Sequence, residues 1–195
     1  MADAHPAGKP PAGPQPETAR WKPSVTVAAI VARDWQGMRQ YLLVEERTPE
    51  GLKLNNPAGH LDPGESPQQA AVRECLEETA RHFVPQALLG VYLARFVRPA
   101  AGGGADEDKP DEDITYLRLA YSGTVGEPEP GRALDSPIVR TLWMTADEVQ
   151  ASTARHRSPL VWRCIADHAA GQRHALDVVW ADPSLAAPTT LDLRA

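Results

Sequence analysis

Residues 58–83 read "AGHLDPGESPQQAAVRECLEETARHF". Ser66 is followed by Pro67 and, at the third position, Gln69, the pattern of a hydroxyl cap, a first-turn proline and an amide that reaches back to the cap. A helix is predicted from about Pro67. At about 100° per residue, Val72, Leu76, Thr79 and Phe83 share one face and Glu74, Glu77 and Glu78 the opposite one. The apolar face is expected to pack and the acidic face to stay open. Glu74 is then a surface neighbour of both other glutamates, and each like-charged pair costs roughly 0.2–0.5 kcal/mol. Residues 66–83 contain no lysine, and their basic members are Arg73, Arg81 and His82. A solvated helix face would interleave its signs. A hard divalent cation relieves the repulsion: carboxylates at this spacing converge, and Mg²⁺ favours a few carboxylates with waters and substrate phosphate oxygens.

The remainder of the chain narrows the class. Its 195 residues suit one domain with a substantial core. A formal net charge of −6 gives no support to a broad phosphate-binding surface, so no nucleic-acid partner is expected. Cys75 and Cys164 form neither a metal clamp nor a disulfide framework, which implies a reducing compartment. Residues 1–20 lack the apolar core of a signal peptide, and no run approaches the length of a membrane helix. A soluble cytoplasmic protein without a membrane partner is the expectation.

Residues 1–20, rich in Pro, Ala and Gly, hold too little apolar surface to offset the entropy of ordering and read as a disordered tail. Residues 24–32 and 40–47 read as paired strands around a turn at Gln36 and Gly37, and 88–97, 114–125 and 140–145 as further strands. The segment 98–113, glycine-rich and acidic, reads as a flexible insert. One helix is expected after Thr145, with Asp147 and Glu148 in its first turn. Another is expected with Ser158 as cap, Pro159 at its first position and Gly171 beyond its end. The predicted fold class is α/β, a mixed sheet covered by helices on both faces. The domain is placed at 21–180, with a C-terminal tail at 181–195.

Gly59, five residues, Glu65, seven residues, then Arg73-Glu74-Cys75-Leu76-Glu77-Glu78 resembles the Nudix box of hydrolases that cleave nucleoside diphosphates linked to another group. The family's pattern closes with glycine and an aliphatic residue where this chain has Ala80 and Arg81. Outside the box, "WKPSVTVAAIVA", "NNPAGHLDPGES", "LDSPIVRTLWM" and "RSPLVWRCIADHAAGQRHALDVV" resemble the bacterial phosphatase subfamily typified by NudJ, over residues 21–179. The resemblance implies a Nudix-type α/β/α sandwich and a metal-dependent phosphatase, with Mg²⁺ as cofactor and Mn²⁺ as substitute. Implied substrates are nucleoside tri- and diphosphates and the pyrimidine diphosphate of thiamine synthesis. The alternatives are a pyrophosphohydrolase of nucleoside diphosphate derivatives such as ADP-ribose, or a nucleotide-binding Nudix domain without catalysis. The oligomer is a monomer or homodimer.

By the same resemblance Glu74, Glu77 and Glu78 are metal ligands, and Arg73 completes the catalytic set by orienting them. Gly59 and Gly64 permit the tight loop before the helix, and Glu65 supports it. For the general base, Glu74, Glu77, Asp135 and the run Asp111-Glu112-Asp113 all stand open. His60, Tyr116 and Trp143 are within the range of residues that touch a base, and none is assigned a role.

Overall fold

The computed structural model describes residues 21–98 and 112–186. The predicted tail at 1–20 and nearly all of the acidic insert therefore lie outside the described residues. Seven strands form one mixed sheet: β1 Ser24–Trp35, β2 Met38–Thr48, β3 Gly51–Asn55, β4 Ala58–His60, β5 Phe83–Arg98, β6 Glu112–Val125 and β7 Ile138–Thr145. Its main order is β3-β2-β1-β6-β5, with β4 paired to β1 and β7 to β2. The β1–β6 pair is parallel and the remaining pairs are antiparallel.

The unbroken apolar run Val27–Val31 explains why β1 is central, since each of its residues is at most 2% exposed and such a run suits a strand covered on both faces. Ala28 and Ile30 face one core with Val149, Val161, Cys164 and Ile165. Val27, Ala29 and Val31 face the other with Ala70, Ala71 and Cys75. These partners belong to α1 Pro67–Thr79 on one side, and to α2 Ala146–Ala151 and α3 Leu160–Ala169 on the other. The expected α/β/α sandwich is the observed one. Cys75 and Cys164, both free and buried, lie in opposite cores.

The helix starts follow the local signals. Ser66 Oγ accepts from the Gln69 amide at 3.3 Å, and Gln69 Oε1 accepts from the Ser66 amide at 2.8 Å. Thr145 and Glu148 repeat this box at α2, and each such cap is worth about 1 kcal/mol. At α3 the helix begins one residue later than expected: Pro159 occupies the cap, while Ser158 Oγ accepts from the Leu160 amide. Ala80, standing where the family pattern has glycine, adopts a left-handed φ of 56° and still donates to Leu76 O, so the substitution leaves the helix end intact at a cost of roughly 1–2 kcal/mol.

One sequence expectation is corrected. The buried seam of α1 is Ala70, Ala71, Cys75 and Thr79; Val72 and Leu76 are half-buried, and Phe83 belongs to β5. Small side chains let the helix approach the sheet closely. This turns the glutamate face partly inward instead of leaving it open.

Between α3 and the sheet, His168 is 8% exposed, with Nδ1 3.1 Å from the Tyr41 hydroxyl and the two rings edge to face at 5.4 Å. Burial, then Arg173 and Arg39, hold its pKa down at about 4 against an ordinary 6.5. As pH falls through 6.5 the unfolded chain takes up this proton while the folded chain does not until near 4, so stability falls with acidity across that window. His168→Gln is expected to lose less melting temperature than the wild type between about pH 7.5 and pH 4.5. Equal losses would show that a neutral His168 contributes nothing to acid sensitivity.

Candidate active site

The loop between β4 and α1 and the glutamate face of α1 meet at Arg73. Its Nε and Nη2 donate to the two Glu65 oxygens at 3.0 and 2.6 Å. Nη1 donates to Glu74 at 2.7 Å and Glu77 at 3.1 Å, and Nη2 also reaches the His60 carbonyl at 2.9 Å. The Asp62 carboxylate lies 3.6 Å away. One guanidinium thus ties the loop to two helical turns, a use suited to its planar fork. Its pKa is raised, first by the Glu65 hydrogen bonds and then by Glu74. Arg73 in turn holds the Glu65 carboxyl below its ordinary range, assisted by the Asp62 amide.

Glu74 and Glu78 turn toward β4. Burial raises the Glu74 pKa in spite of Arg73. Glu78 Oε2 accepts from the Ala58 amide at 2.8 Å. Burial pushes its pKa up to about 8, and Glu74, Glu46 and Asp135 add to the rise. The Asp135 amide donates to Glu77 O at 3.0 Å, which brings the loop before β7 against the end of α1. Asp113 is held in an exposed pair with Arg95 at 2.7 Å. Asp111 and the Glu112 side chain lie outside the described residues.

The expected convergence of the three glutamates on one point is not seen: among the described residues no group of three or more His, Cys, Asp or Glu side chains is arranged to hold a metal ion. Arg73 engages Glu74 and Glu77, and the Ala58 amide engages Glu78. The donor set nevertheless suits a hard cation of the Mg²⁺ type, which takes only one or two carboxylates alongside water and substrate oxygens. The inward carboxylates are also poorly solvated, and a nearby cation would favour their ionised form.

Gly59 has a sharper reason than loop flexibility. A Cβ there would stand 2.1 Å from the Glu74 carboxyl carbon, so the missing side chain is the space that Glu74 occupies. Gly64, with φ +91°, fits the turn reading.

Ala58 and Gly59 also line a cavity of 460 Å³ on the α3 side of the sheet. Of the aromatic residues noted in the sequence, His60 and Tyr116 line it, their ring centroids 6.1 Å apart. Trp143 does not; it packs toward the α1 core beneath Arg33 at 4.0 Å. Thr26, Asn55, Glu46, Lys53, Phe96 and Arg118 line the cavity and escaped the sequence reading. The available signal was Arg118, a lone charge inside the apolar strand "ITYLRLAYSG".

An acid-bearing helix held against Ala58 and Gly59, two residues that line a cavity, stands on a mixed sheet between helical layers, the architecture of an α/β/α sandwich. The NUDIX domain profile matches residues 22–162, and the chain belongs to the NUDIX family as a phosphohydrolase. It is 31% identical over 160 residues to Phosphatase NudJ of Escherichia coli K12, covering 82% of this chain and 92% of that protein. It is 46% identical to the solved NUDIX hydrolase from Nitrosomonas europaea, with a TM-score of 0.67 over 83% of this chain and 98% of that one. The MutT NUDIX hydrolase from Burkholderia pseudomallei, at 19% identity and TM-score 0.54 over 75% of this chain and 98% of that one, shares the fold.

Gly59→Ala is expected to displace the Glu74 carboxylate, because that side-chain end must yield to the new Cβ. Phosphohydrolase turnover should fall by about 10²-fold, the scale of a 1 Å misplacement, with only a small change in melting temperature. Wild-type turnover in this variant would show that the position of Glu74 over Gly59 is irrelevant to the reaction.

Proposed function

We propose that the protein is a divalent-metal-dependent phosphatase that removes the terminal phosphate from nucleoside tri- and diphosphates and from the pyrimidine diphosphate of thiamine synthesis. The observation that carries this reading is the carboxylate set of Glu74, Glu77 and Glu78, braced by Arg73 and held against Ala58 and Gly59, which line a cavity large enough for an organic group. Kinship to Phosphatase NudJ over most of both chains supports the phosphatase class.

Glu74 and Glu78 would hold Mg²⁺, or Mn²⁺ in its place, with Glu77 adding a ligand or acting through bound water. When bound, the metal supplies neutralisation of phosphate charge and a lowered pKa for water. Arg73 fixes Glu74 and Glu77 on α1 and, through Glu65 and His60, fixes the loop that borders the cavity. Glu78 is held by the Ala58 amide next to Gly59, so the carboxylates and the cavity keep one register. Attack on phosphorus then depends on positioning and charge stabilisation more than on covalent catalysis. Asp135, brought against the end of α1, is the loop acid best placed to serve as base. Residues 21–180 form the working domain in this reading, with 1–20 and 181–195 as appendages. The reading places the enzyme in the cytoplasm as a monomer or homodimer without a nucleic-acid or membrane partner. Among the described residues no helix is long and apolar enough to cross a membrane.

The test is turnover with product separation. Glu78→Gln keeps the side chain's shape and removes its charge, so activity should fall by orders of magnitude while the metal-free melting temperature holds or rises. Chromatography with separate assays for orthophosphate and pyrophosphate should find nucleoside diphosphate and orthophosphate first from a triphosphate. Pyrophosphate as the main product, or cleavage of ADP-ribose alone, would sink the phosphatase reading, and full wild-type activity in excess EDTA would sink the metal role.

A further inference from the structure

The cavity floor carries buried polar groups that the fold leaves unmet. Arg118 is 9% exposed, Asn55 8% and Thr26 5%. Among the described residues, Arg118 Nε and Nη1, Asn55 Oδ1 and Thr26 Oγ1 have no hydrogen-bond partner. All three side chains line the same cavity. An unpaired buried polar group costs stability, and a guanidinium cannot escape that cost by losing its proton. The Asn55 amide is oriented by its own structure: Nδ2 donates to Glu46 Oε1 at 3.3 Å, which leaves Oδ1 as a bare acceptor.

A ligand that satisfies this floor must bring an acceptor for Arg118 and an N–H or O–H for Asn55. A phosphate brings acceptors only, and its oxygens would repel Asn55 Oδ1. Arg118 on β6 pairs in register with Thr26 on β1, which pairs with His60 on β4, and its guanidinium feels the Glu78 and Glu46 carboxylates. The side wall is aromatic, since the Tyr116 ring lies 6.1 Å from His60 and 5.5 Å from Phe96. Such rings suit stacking of a flat group.

We propose that this floor reads the edge of a flat nitrogen heterocycle, Arg118 donating to a ring-nitrogen or carbonyl acceptor and Asn55 Oδ1 accepting from a neighbouring N–H. Arg118 is then the residue that selects the organic end of the substrate. The inference rests on the phosphohydrolase reading for its phosphate end, and it is tested by binding so that its failure is distinguishable from a failure of turnover.

The full chain without metal is titrated calorimetrically with cytidine, uridine, adenosine, guanosine and ribose, and with Mg²⁺ present with methylenediphosphonate. At least one nucleoside should bind the wild type more tightly than ribose. Arg118→Met should weaken that nucleoside by roughly 10- to 100-fold, the range for hydrogen bonds to a charged group, and Asn55→Ala should weaken it as well. Nε and Nη1 of Arg118 have no hydrogen-bond partner, while the Glu78 and Glu46 carboxylates act on its charge, so unliganded Arg118→Met should melt close to the wild type. Arg118→Gln serves as the second variant should the Met variant not fold. The proposal is overturned if no nucleoside binds better than ribose. Loss of methylenediphosphonate affinity matching the nucleoside loss would make Arg118 a phosphate ligand instead. A lower melting temperature with unchanged nucleoside affinity in the Arg118 variants would make it structural. Absence of hydrolysis of any diphosphate by the wild type, with nucleoside binding intact, would fall on the proposed function alone.

Discussion

Everything at the site hangs on the Arg73 guanidinium. It is the cation through which Glu65, Glu74, Glu77 and the His60 carbonyl are held together. The repulsion that the helix sequence builds in is thus met twice, by this arginine within the chain and, in the proposed reaction, by a metal. Because the group is partly buried, loss of the arginine would leave several carboxylates short of water and of charge, the situation in which breaking one partner costs far more than the pair contributes. The strength of the arrangement comes from covering two elements with a single rigid fork. A lysine offers one point charge and no such geometry.

The second constraint is closeness. Ala70, Ala71 and Cys75 carry little volume, so α1 lies low on the sheet. Helical spacing then brings Glu74 and Glu78 toward β4 along with them. The sheet accommodates this with Gly59, whose absent side chain is the space for Glu74. It also offers the Ala58 amide, which receives Glu78. A larger residue on the seam or at Gly59 would separate the carboxylates from the cavity that Ala58 and Gly59 border.

What was legible in the sequence follows from which forces act locally. The starts of α1 and α2 were readable because Ser66 with Gln69 and Thr145 with Glu148 satisfy amide groups within one turn. The long strands were readable from apolar runs, and the mixed sheet between helices followed from their order. Strands β3 and β4 were missed. They have five and three residues, carry Lys53, Asn55 and His60, and owe their existence to pairing with β2 and β1. The face of α1 was misjudged because hydrophobicity favoured Val72 and Leu76, whereas packing distance favoured alanine and cysteine. The box spacing located Arg73 and the glutamates but not the depth at which they lie. Arg118, Thr26 and Asn55 come together only through strand register, which no local pattern reveals.

The distribution of unmet groups separates the two ends of the site. At the carboxylate end each charge has a partner in the chain, and burial still lifts the Glu74 and Glu78 pKa values. At the cavity end Arg118, Asn55 and Thr26 have polar atoms with none. A core selected for stability alone would replace such groups with apolar ones of the same shape. Their persistence under α3, beside a sheet whose other inward positions include Ala28, Ile30 and Ala120, is the pattern of local conflict that proteins keep at functional sites. Stability surrendered at the floor is available to a ligand that restores the missing hydrogen bonds, and in the proposed reaction the carboxylates beside Gly59 act on whatever phosphate that ligand carries.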